Sequence, residues 1–437
     1  MSDLAVRKSA ISGLLLIDLP VHGDNRGWFK ENWQREKMVA AGLPDFAPVQ
    51  NNVSFNAARG TTRGIHAEPW DKFVSVATGR VFGAWVDLRE GPGFGSVVTA
   101  EVGPDTAVFV PRGVANAFQT LEDDTAYSYL VNAHWSPDAR YTFLNLADET
   151  VAIDWPIPLE RAETSQKDRD HPRLADVTPV APRRTVVLGA GGQLGRALTR
   201  LLPDALALSS REFDVSDPTA YASVDWSDVD TIVNAAAYTK VDEAETDQGR
   251  RDAWRVNAHA ATLLARTAVE HGLTLVHVST DYVFDGTETE HSTDEPFSPL
   301  GVYGASKAAG DVAVAVVPRH YVVRTSWVIG DGPNFIRTMR SLADRDVEPT
   351  VVDDQIGRLT YADDLAAGIV ALLRERRPYG TYNVTSGGAP RSWFEIAREV
   401  YAEAGKDPAM VSPVSTEEYG AGKSLAPRPR HSTLRAD

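Results

Sequence analysis

The sequence predicts two domains of different class, an all-β barrel or jelly roll followed by an α/β domain with a doubly wound parallel sheet. Three observations carry this expectation. The chain has 437 residues, more than one hydrophobic core ordinarily serves. Its N-terminal part is built of short β-type runs, and from Arg184 onward strands alternate with helical segments. The β-type runs include FVSVATGRVFGAWVDLR (73–89), SVVTAEVG (96–103), TAVFVPRG (106–113) and AYSYLVNAHW (126–135). Alternating apolar residues, aromatics and Gly, Pro and Asp at the breaks indicate antiparallel pairing. In the second part TVVLGA (185–190) precedes GRALTRLL, and TIVNAAA (231–237) precedes AWRVNAHAATLLARTAVEHG. TLVHVST (274–280) precedes a loop and a further helix, and YVVRTSW (321–327) adds a strand. Such alternation specifies a parallel sheet. The stretch RDHPRLADVTPVAPRR (169–184) carries Pro172, Pro179 and Pro182 without apolar periodicity. The expected boundaries are therefore a first domain at 1–172, a linker at 173–183 and a second domain at 184–437.

Composition narrows the function classes. Hydrophobic residues make up 43% and charged residues 24%, as in ordinary globular proteins. The net charge of −16 argues against nucleic acid as a partner, since phosphate-backbone binding needs a basic face. There is no cysteine, which excludes disulfides and thiolate metal sites and fits a cytoplasmic setting. The apolar run in MSDLAVRKSAISGLLLIDLP is short and interrupted by Asp18, so neither a signal peptide nor a membrane partner is expected.

Gly189, Gly192 and Gly195 follow the first α/β strand and open a helix. Glycines there allow a tight turn and close approach of a pyrophosphate to the helix N-terminal amides, the Rossmann arrangement. The second strand ends near ALALSS with no acidic residue expected at its end. Ser209, Ser210 and Arg211 could receive a 2′-phosphate, so NADPH is the expected cofactor and NADH the alternative. A purely solvated Arg211 stays open.

Tyr303 and Lys307 are four residues apart and share a helix face. A tyrosine that protonates an alkoxide has a high ordinary pKa, and a neighbouring ammonium brings it nearer the working range. Thr280 or Ser279, at a strand end, can hydrogen-bond the same carbonyl oxygen.

In the β part, His66 lies between Arg63 and Lys72. A histidine suits general-base work near neutrality, and an enolate formed by it needs a positive group, which Lys72 could supply. A structural histidine is the other reading of the residues alone.

Over 184–437 the motifs GAGGQLGRAL, VNAAAYTKVDEAE, HVSTDYVFDG, YGASKAAG, VRTSWVIG and DDQIGRLTYADDLA resemble the extended short-chain dehydrogenase/reductases, and within them the dTDP-4-dehydrorhamnose reductases. The resemblance implies that Gly192, Gln193 and Leu194 meet the cofactor diphosphate and Asp214 and Val215 the adenine. Ala236, Ala237 and Tyr238 line the nicotinamide. Tyr303 becomes the proton donor, Lys307 its partner, and Thr280, Asp281 and Trp327 substrate contacts. Asp281 is followed by Tyr282, whereas related sugar dehydratases carry an Asp–Glu pair, so elimination lacks its base. No metal is expected, because the position of a metal-holding glutamate in some such reductases is Ala197.

Residues 12–172 are similar to the dTDP-4-dehydrorhamnose 3,5-epimerases, cupin-like jelly rolls, through GDNRGWFKE, VQNNVS, RGIH, GRVFGAWVDLREGPGFG, VPRGVANAF, YLVNAHWSP and SQKD. This likeness implies that His66 removes the C5 and C3 protons, Asp168 orients it, Tyr129 returns a proton from the other face and Lys72 stabilises the enolate. Arg26, Glu31, Gln50, Asn52 and Arg63 hold the nucleotide, Trp135 stacks on the base, and Asn51, Asn116 and Lys167 complete the substrate set. Asn116 stands where the family has histidine and Arg140 where it has glutamate, and the loop from His66 to Lys72 is short. Jointly the halves imply a bifunctional enzyme, expected as a homodimer, that epimerises a dTDP-linked 4-keto-6-deoxyhexose and then reduces C4. Two alternatives stay open: a non-catalytic sugar-binding first domain, or epimerisation at C3 only.

Overall fold

A computed structural model of the chain describes residues 3–137 and 139–436. It divides into two compact units, residues 1–182 and residues 183–437.

The first unit is a two-sheet antiparallel jelly roll. Its strands, in chain order, are β1 (Ala5–Lys8), β2 (Leu15–Asp18), β3 (Val21–Asp24), β4 (Gly27–Lys30), β5 (Gln50–Asn56), β6 (Thr62–Ala67), β7 (Lys72–Thr78), β8 (Val81–Asp87), β9 (Val97–Val102), β10 (Thr106–Val110), β11 (Val114–Thr120), β12 (Thr125–Val131) and β13 (Thr142–Phe143). One sheet has the order β1-β2-β10-β7-β12-β5, the other β13-β6-β11-β8-β9, and β3 and β4 form a separate hairpin. Between the sheets, Val74, Val76, Trp85, Val108, Phe118 and Tyr127 pack into one core.

The period of two sorts each strand. On β6, Ile65 and Ala67 enter an outer core with Leu144 and Trp155, while Thr62, Gly64 and His66 face the interior cavity. Gly64 has φ +130°, and a Cβ there would lie 2.4 Å from that of Ala117. A bare backbone is therefore what lets β6 lie against β11.

The expected linker at 173–183 is corrected by the structure. Leu174 and Val177 are buried in the outer core, and Val180 exchanges backbone hydrogen bonds with the chain at Leu88 and Glu90, 2.7 and 3.0 Å. Leu174–Asp176 makes a single 3-10 turn, and the apolar residues of this stretch fill a groove. The first unit thus continues to residue 182.

The second unit is a doubly wound parallel sheet. β14 (Arg184–Leu188), β15 (Leu206–Leu208), β16 (Val229–Asn234), β17 (Thr274–Thr280) and β18 (His320–Thr325) precede a last strand, Gly380–Asn383. The spatial order is β15-β14-β16-β17-β18 and then the last strand, every pair parallel. Helix Ala260–His271 covers one face, through Ala261, Leu264 and Ala268. Helices Gln193–Leu201 and Ala362–Arg374 cover the other, through Leu198, Leu365 and Ile369. The chain moves to opposite sides of β14 after that strand and after β15, which makes the β14/β16 crevice the topological switch point where ligands bind in such sheets. No helix among the described residues is long and apolar enough to cross a membrane.

Candidate functional sites

A cavity of about 530 Å³ opens inside the jelly roll, lined by Arg63, His66, Glu68, Lys72, Asn116, Tyr127, Tyr129 and Asp168 among others. Several strands and a short helix meet there. Lys72 lies on β7, Tyr127 and Tyr129 on β12, and Asn116 is paired in register with His66 across β11 and β6. Asp168 comes from the short helix Gln166–Arg169, whose N-cap Ser165 accepts a 3.1 Å hydrogen bond from the Asp168 N–H. His66 Nε2 is 3.0 Å from Asp168 Oδ1, which leaves the other ring nitrogen for the cavity. Burial works to raise the Asp168 carboxyl, but the His66 hydrogen bond and charge outweigh it and hold it below the usual carboxylate range. An ionised carboxylate therefore orients the imidazole.

Glu68 was not foreseen from the sequence. It forms a buried ion pair with Lys72, so the ammonium that faces the cavity is already partnered. The Lys72 Nζ also sits 5.1 Å from the Tyr129 ring centre. Burial, followed by the charge of Glu68, raises the Tyr129 phenol above its ordinary value, with Arg63 opposing. Tyr129 thus keeps its proton at neutral pH. Asn116 accepts a 3.0 Å hydrogen bond from the Tyr127 hydroxyl, which satisfies a phenol buried against Phe118.

Other expected residues are not gathered in this cavity. Arg26 pairs with Asp24 at the tip of the β3–β4 hairpin, and Glu31 pairs with Lys37. Gln50, Asn52 and Trp135 form a separate polar ledge. The Trp135 N–H donates to Gln50 Oε1 at 3.1 Å, and Gln50 Nε2 donates to Asn52 Oδ1 at 2.9 Å. Trp135 itself is 61% exposed, open to stacking. Asn51 is a correction: the pleat of β5 turns it to the face opposite Tyr129, where its Oδ1 accepts from Ser128. Lys167 lies over the Phe143 ring at 5.2 Å.

In the second unit the glycine turn lies at the switch point. Gly189 has φ +77°, and a Cβ there would be 2.7 Å from the Ala236 nitrogen. A Cβ on Gly195 would lie 2.2 Å from the Gly189 carbonyl oxygen. Gly192 is the N-cap of helix Gln193–Leu201 and makes no side-chain capping bond, so the first amides of that helix are open to an anion. This cradle fits a dinucleotide pyrophosphate. Leu194 offers only its backbone to it, because its side chain is packed in the core, and Val215 is likewise a core residue. Asp214 is engaged by Ser216 and lies 3.6 Å from Arg255.

The end of the second strand also differs from the sequence expectation. Glu212 turns back and accepts a 2.8 Å hydrogen bond from the Ser209 N–H, which holds its carboxyl below the usual range. An acidic group therefore does stand at the end of β15, beside an exposed Arg211 that makes no hydrogen bond or ion pair among the described residues.

Tyr303 and Lys307 lie on helix Val302–Ala315 as expected, yet their electrostatics are reversed. Burial pushes the Tyr303 phenol above its ordinary value; Asp281 adds to this and a hydrogen bond with Thr280 opposes it. Lys307 is committed elsewhere, donating to the Val278 carbonyl at 2.6 Å and lying 3.3 Å from His277 Nε2. Burial lowers it to about 8, with Asp311 pulling the other way. A tyrosine that keeps its proton serves reduction, which consumes one. Asp281 is buried, and burial raises its carboxyl to about 6 against hydrogen bonds from Ser432 and Thr280. Ser432 arrives on a C-terminal segment that bridges to His291 and Ile356, which no local pattern announced. Asn257 was also missed. Its side chain receives the Tyr238 N–H at 2.8 Å and donates to Ser306 at 3.0 Å, joining the Ala236–Tyr238 loop to the tyrosine helix. Trp327, at φ +43°, stacks on Trp393 with ring centres 3.7 Å apart.

A glycine turn at the switch point, a strand-end threonine and a buried Tyr–Lys helix define a nucleotide-dependent carbonyl reductase of the short-chain class. Ahead of it stands a jelly-roll domain with a His–Asp dyad facing a lysine and tyrosines. The comparisons with known proteins make this particular. Residues 183–437 match the RmlD substrate binding domain, and residues 8–176 match the dTDP-4-dehydrorhamnose 3,5-epimerase family. The chain belongs to the first family and carries a domain of the second in front of it. A "Protein RmlC homolog" of Streptococcus pyogenes is 52% identical over 180 residues, 40% of this chain and 90% of that protein. A dTDP-4-dehydrorhamnose reductase of Mycobacterium tuberculosis is 42% identical over 264 residues, 57% of this chain and 84% of the relative. The crystal structure of a Bacillus anthracis dTDP-4-dehydrorhamnose reductase in complex with NADP is 36% identical, with a TM-score of 0.55, covering 59% of this chain and 91% of that one.

Proposed function

We propose that this chain catalyses two consecutive steps of dTDP-rhamnose formation, 3,5-epimerisation of dTDP-4-dehydro-6-deoxy-D-glucose and then NADPH-dependent reduction of its C4 ketone. The observation that carries the reading is the placement of a base with its orienting carboxylate, a lysine and a protonated tyrosine around one cavity. A chain that also holds a reductase site supplies the step that uses the product.

In the first site His66 takes the proton α to the ketone while Asp168 holds the imidazole and steadies the imidazolium. Lys72 faces the enolate oxygen, and Tyr129 returns a proton to the opposite face of the ring. The cycle at C5 and then C3 inverts both centres. In the second site the bound NADPH supplies hydride to C4. Tyr303 gives its proton to the developing alkoxide, Thr280 holds the same oxygen, and Lys307 restores charge balance behind the tyrosine. Arg211 favours a 2′-phosphate, and Glu212 beside it leaves room for NADH as a poorer substitute.

We further propose a homodimer. The hairpin that carries Arg26 leaves Trp28 and Phe29 exposed, and edge strand β5 leaves Val53 and Phe55 exposed. Arg26, Gln50 and Asn52, expected nucleotide ligands outside the cavity, lie on these same two elements. Cytoplasmic location follows from the need for a nucleotide sugar and reduced nicotinamide.

The test is the full chain with the 4-keto sugar in D2O, read by NMR. Without nicotinamide, wild type should incorporate deuterium at C5 and C3, and with NADPH it should yield dTDP-L-rhamnose. His66→Ala should do neither, and Tyr303→Phe should exchange both protons but reduce about 10²–10⁴-fold more slowly. Exchange at C3 alone would establish the monoepimerase alternative. Tight dTDP binding with no exchange would make the first domain a binding module, a reading that the departures at Asn116 and Arg140 favour.

A further inference from the structure

A third imidazole stands beside the His66–Asp168 pair, and the mechanism has no use for it. His171 follows the helix that carries Asp168 by two residues, and its side chain is 6% exposed. Its ring stacks on Phe143, 4.6 Å between centres and 20° between planes, and meets the His66 ring edge-on at 5.3 Å. Asn145 fixes the backbone by donating to the His171 carbonyl at 3.0 Å. Neither ring nitrogen makes a well-formed hydrogen bond. The Leu144 carbonyl lies beside the ring, short of good hydrogen-bond geometry, though near enough to favour a proton on the nitrogen that faces it. Nε2 lies 4.0 Å from Asp168 Oδ1. A buried imidazole without partners is a costly feature that calls for a reason.

We propose that His66, Asp168 and His171 form a binding site for a borderline divalent cation of the Zn2+ type, whose occupation switches the epimerase off. The three donor atoms lie within 4.8 Å of one another, with His66 Nε2 at 3.0 Å and His171 Nε2 at 4.0 Å from the carboxylate oxygen between them. Zn–N bonds of about 2.0–2.1 Å in a tetrahedral site place donors about 3.3 Å apart. These two separations straddle that value, within about an ångström of a closed site. Two imidazoles and a carboxylate suit Zn2+, Co2+ or Cu2+ and not Mg2+ or Ca2+, which prefer all-oxygen sets.

The His66 hydrogen bond holds Asp168 below the usual carboxylate range against its burial, and burial disfavours the charged form of His171. A proton on the nitrogen that faces the Leu144 carbonyl would leave a bare lone pair on the other, as in metal-bound histidines whose second N–H meets a carbonyl. Other charges near the cluster are Lys167, over Phe143, and the Lys72–Glu68 pair, which is neutral as a unit. His66, one-third exposed, opens the remaining coordination position to the cavity. A cation on Nε2 confines the ring proton to the other nitrogen, the atom that must be bare to take the sugar proton, so binding and enolisation exclude each other. The switching part of the proposal rests on His66 as the epimerase base; the binding part does not.

The experiment titrates the full chain with Zn2+ by calorimetry and with Co2+ by its visible d–d absorption, and follows solvent-deuterium exchange into the 4-keto sugar at each metal concentration. Wild type should show a tetrahedral Co2+ spectrum and lose exchange as metal is added, with recovery on chelation. His171→Phe keeps a ring on Phe143 and removes both nitrogens, and His171→Gln covers the case in which Phe does not fold. Either should retain metal-free exchange while metal inhibition weakens on the order of 10–100-fold. With ten histidines in the chain, the comparison between wild type and variant assigns the site. Equal affinity in the variants, or no tetrahedral Co2+ spectrum in wild type, overturns the proposal. A Co2+ spectrum that depends on His171 in a protein without exchange would uphold the site and remove the epimerase reading instead.

Discussion

Replacing Asp311 by Asn should move the alkaline limb of the reductase's kcat/KM profile to lower pH. Asp311 lies one helical turn beyond Lys307 and two beyond Tyr303, is 2% exposed, and accepts from Arg324 Nε at 3.3 Å. Lys307, fully buried, faces the Val278 carbonyl, His277 and Asp311. His277 is held neutral, well below its ordinary value, by burial and then by the charge of Lys307. Among the described residues Asp311 is the carboxylate whose charge raises the ammonium. Residues at i and i+4 stand about 6 Å apart, and a unit charge at about 6 Å with an effective dielectric near 20 contributes about 2.8 kcal/mol, or about two pH units. The sign follows from the base: Lys307 acts while protonated, so activity is present below its pKa and lost above it. Wild type should therefore fall off near pH 8, and Asp311→Asn one to two units lower (roughly, by the same Coulomb arithmetic). Asn keeps an acceptor for Arg324, which also donates to the Thr293 carbonyl, so the fold should hold; thermal unfolding checks this. The assay is NADPH oxidation with epimerised substrate across pH. A limb that stays near pH 8 while the rate falls uniformly would show Asp311 to be a packing residue, and a limb that rises would refute the electrostatic argument.

Three further outcomes are expected. Asp168→Asn should cut deuterium exchange about 10²-fold or more with little change in substrate affinity, since an amide cannot stabilise the imidazolium; unchanged exchange would remove Asp168 from the mechanism. Arg211→Ala should raise KM for NADPH more than for NADH, while Glu212→Gln should lower KM for NADPH and raise it for NADH, because a charge-assisted contact is lost in one case and a repulsion in the other. Gly195→Ala, whose methyl would lie 2.2 Å from a backbone oxygen, should destabilise the second unit by about 1–3 kcal/mol and weaken cofactor binding, read by differential scanning calorimetry and fluorescence titration.

The amino-acid sequence by itself determined the class and order of the two domains, the glycine turn and the shared face of Tyr303 and Lys307. These are properties of period and of short spacing: alternation of two for β, strand then helix for α/β, four residues for a helix face, and glycine where a Cβ would strike backbone. Interactions between residues distant in the chain, or turned by a loop, were decided only by the tertiary structure. Glu68 and Lys72 are four apart in a turn, where helical spacing has no meaning, and they met because β6 and β7 enter one barrel. A reversal of the chain after Ser210 brought Glu212 back to Ser209. A proline-rich stretch that reads as a linker instead docked Leu174 and Val177 into the outer core, because burial of apolar side chains does not require periodicity. Lys307 was legible as a charge near Tyr303, but the Val278 carbonyl and the depth of burial set what that charge does. Local pattern specifies backbone; desolvation and partner choice arise only when the sheets and helices close around a side chain.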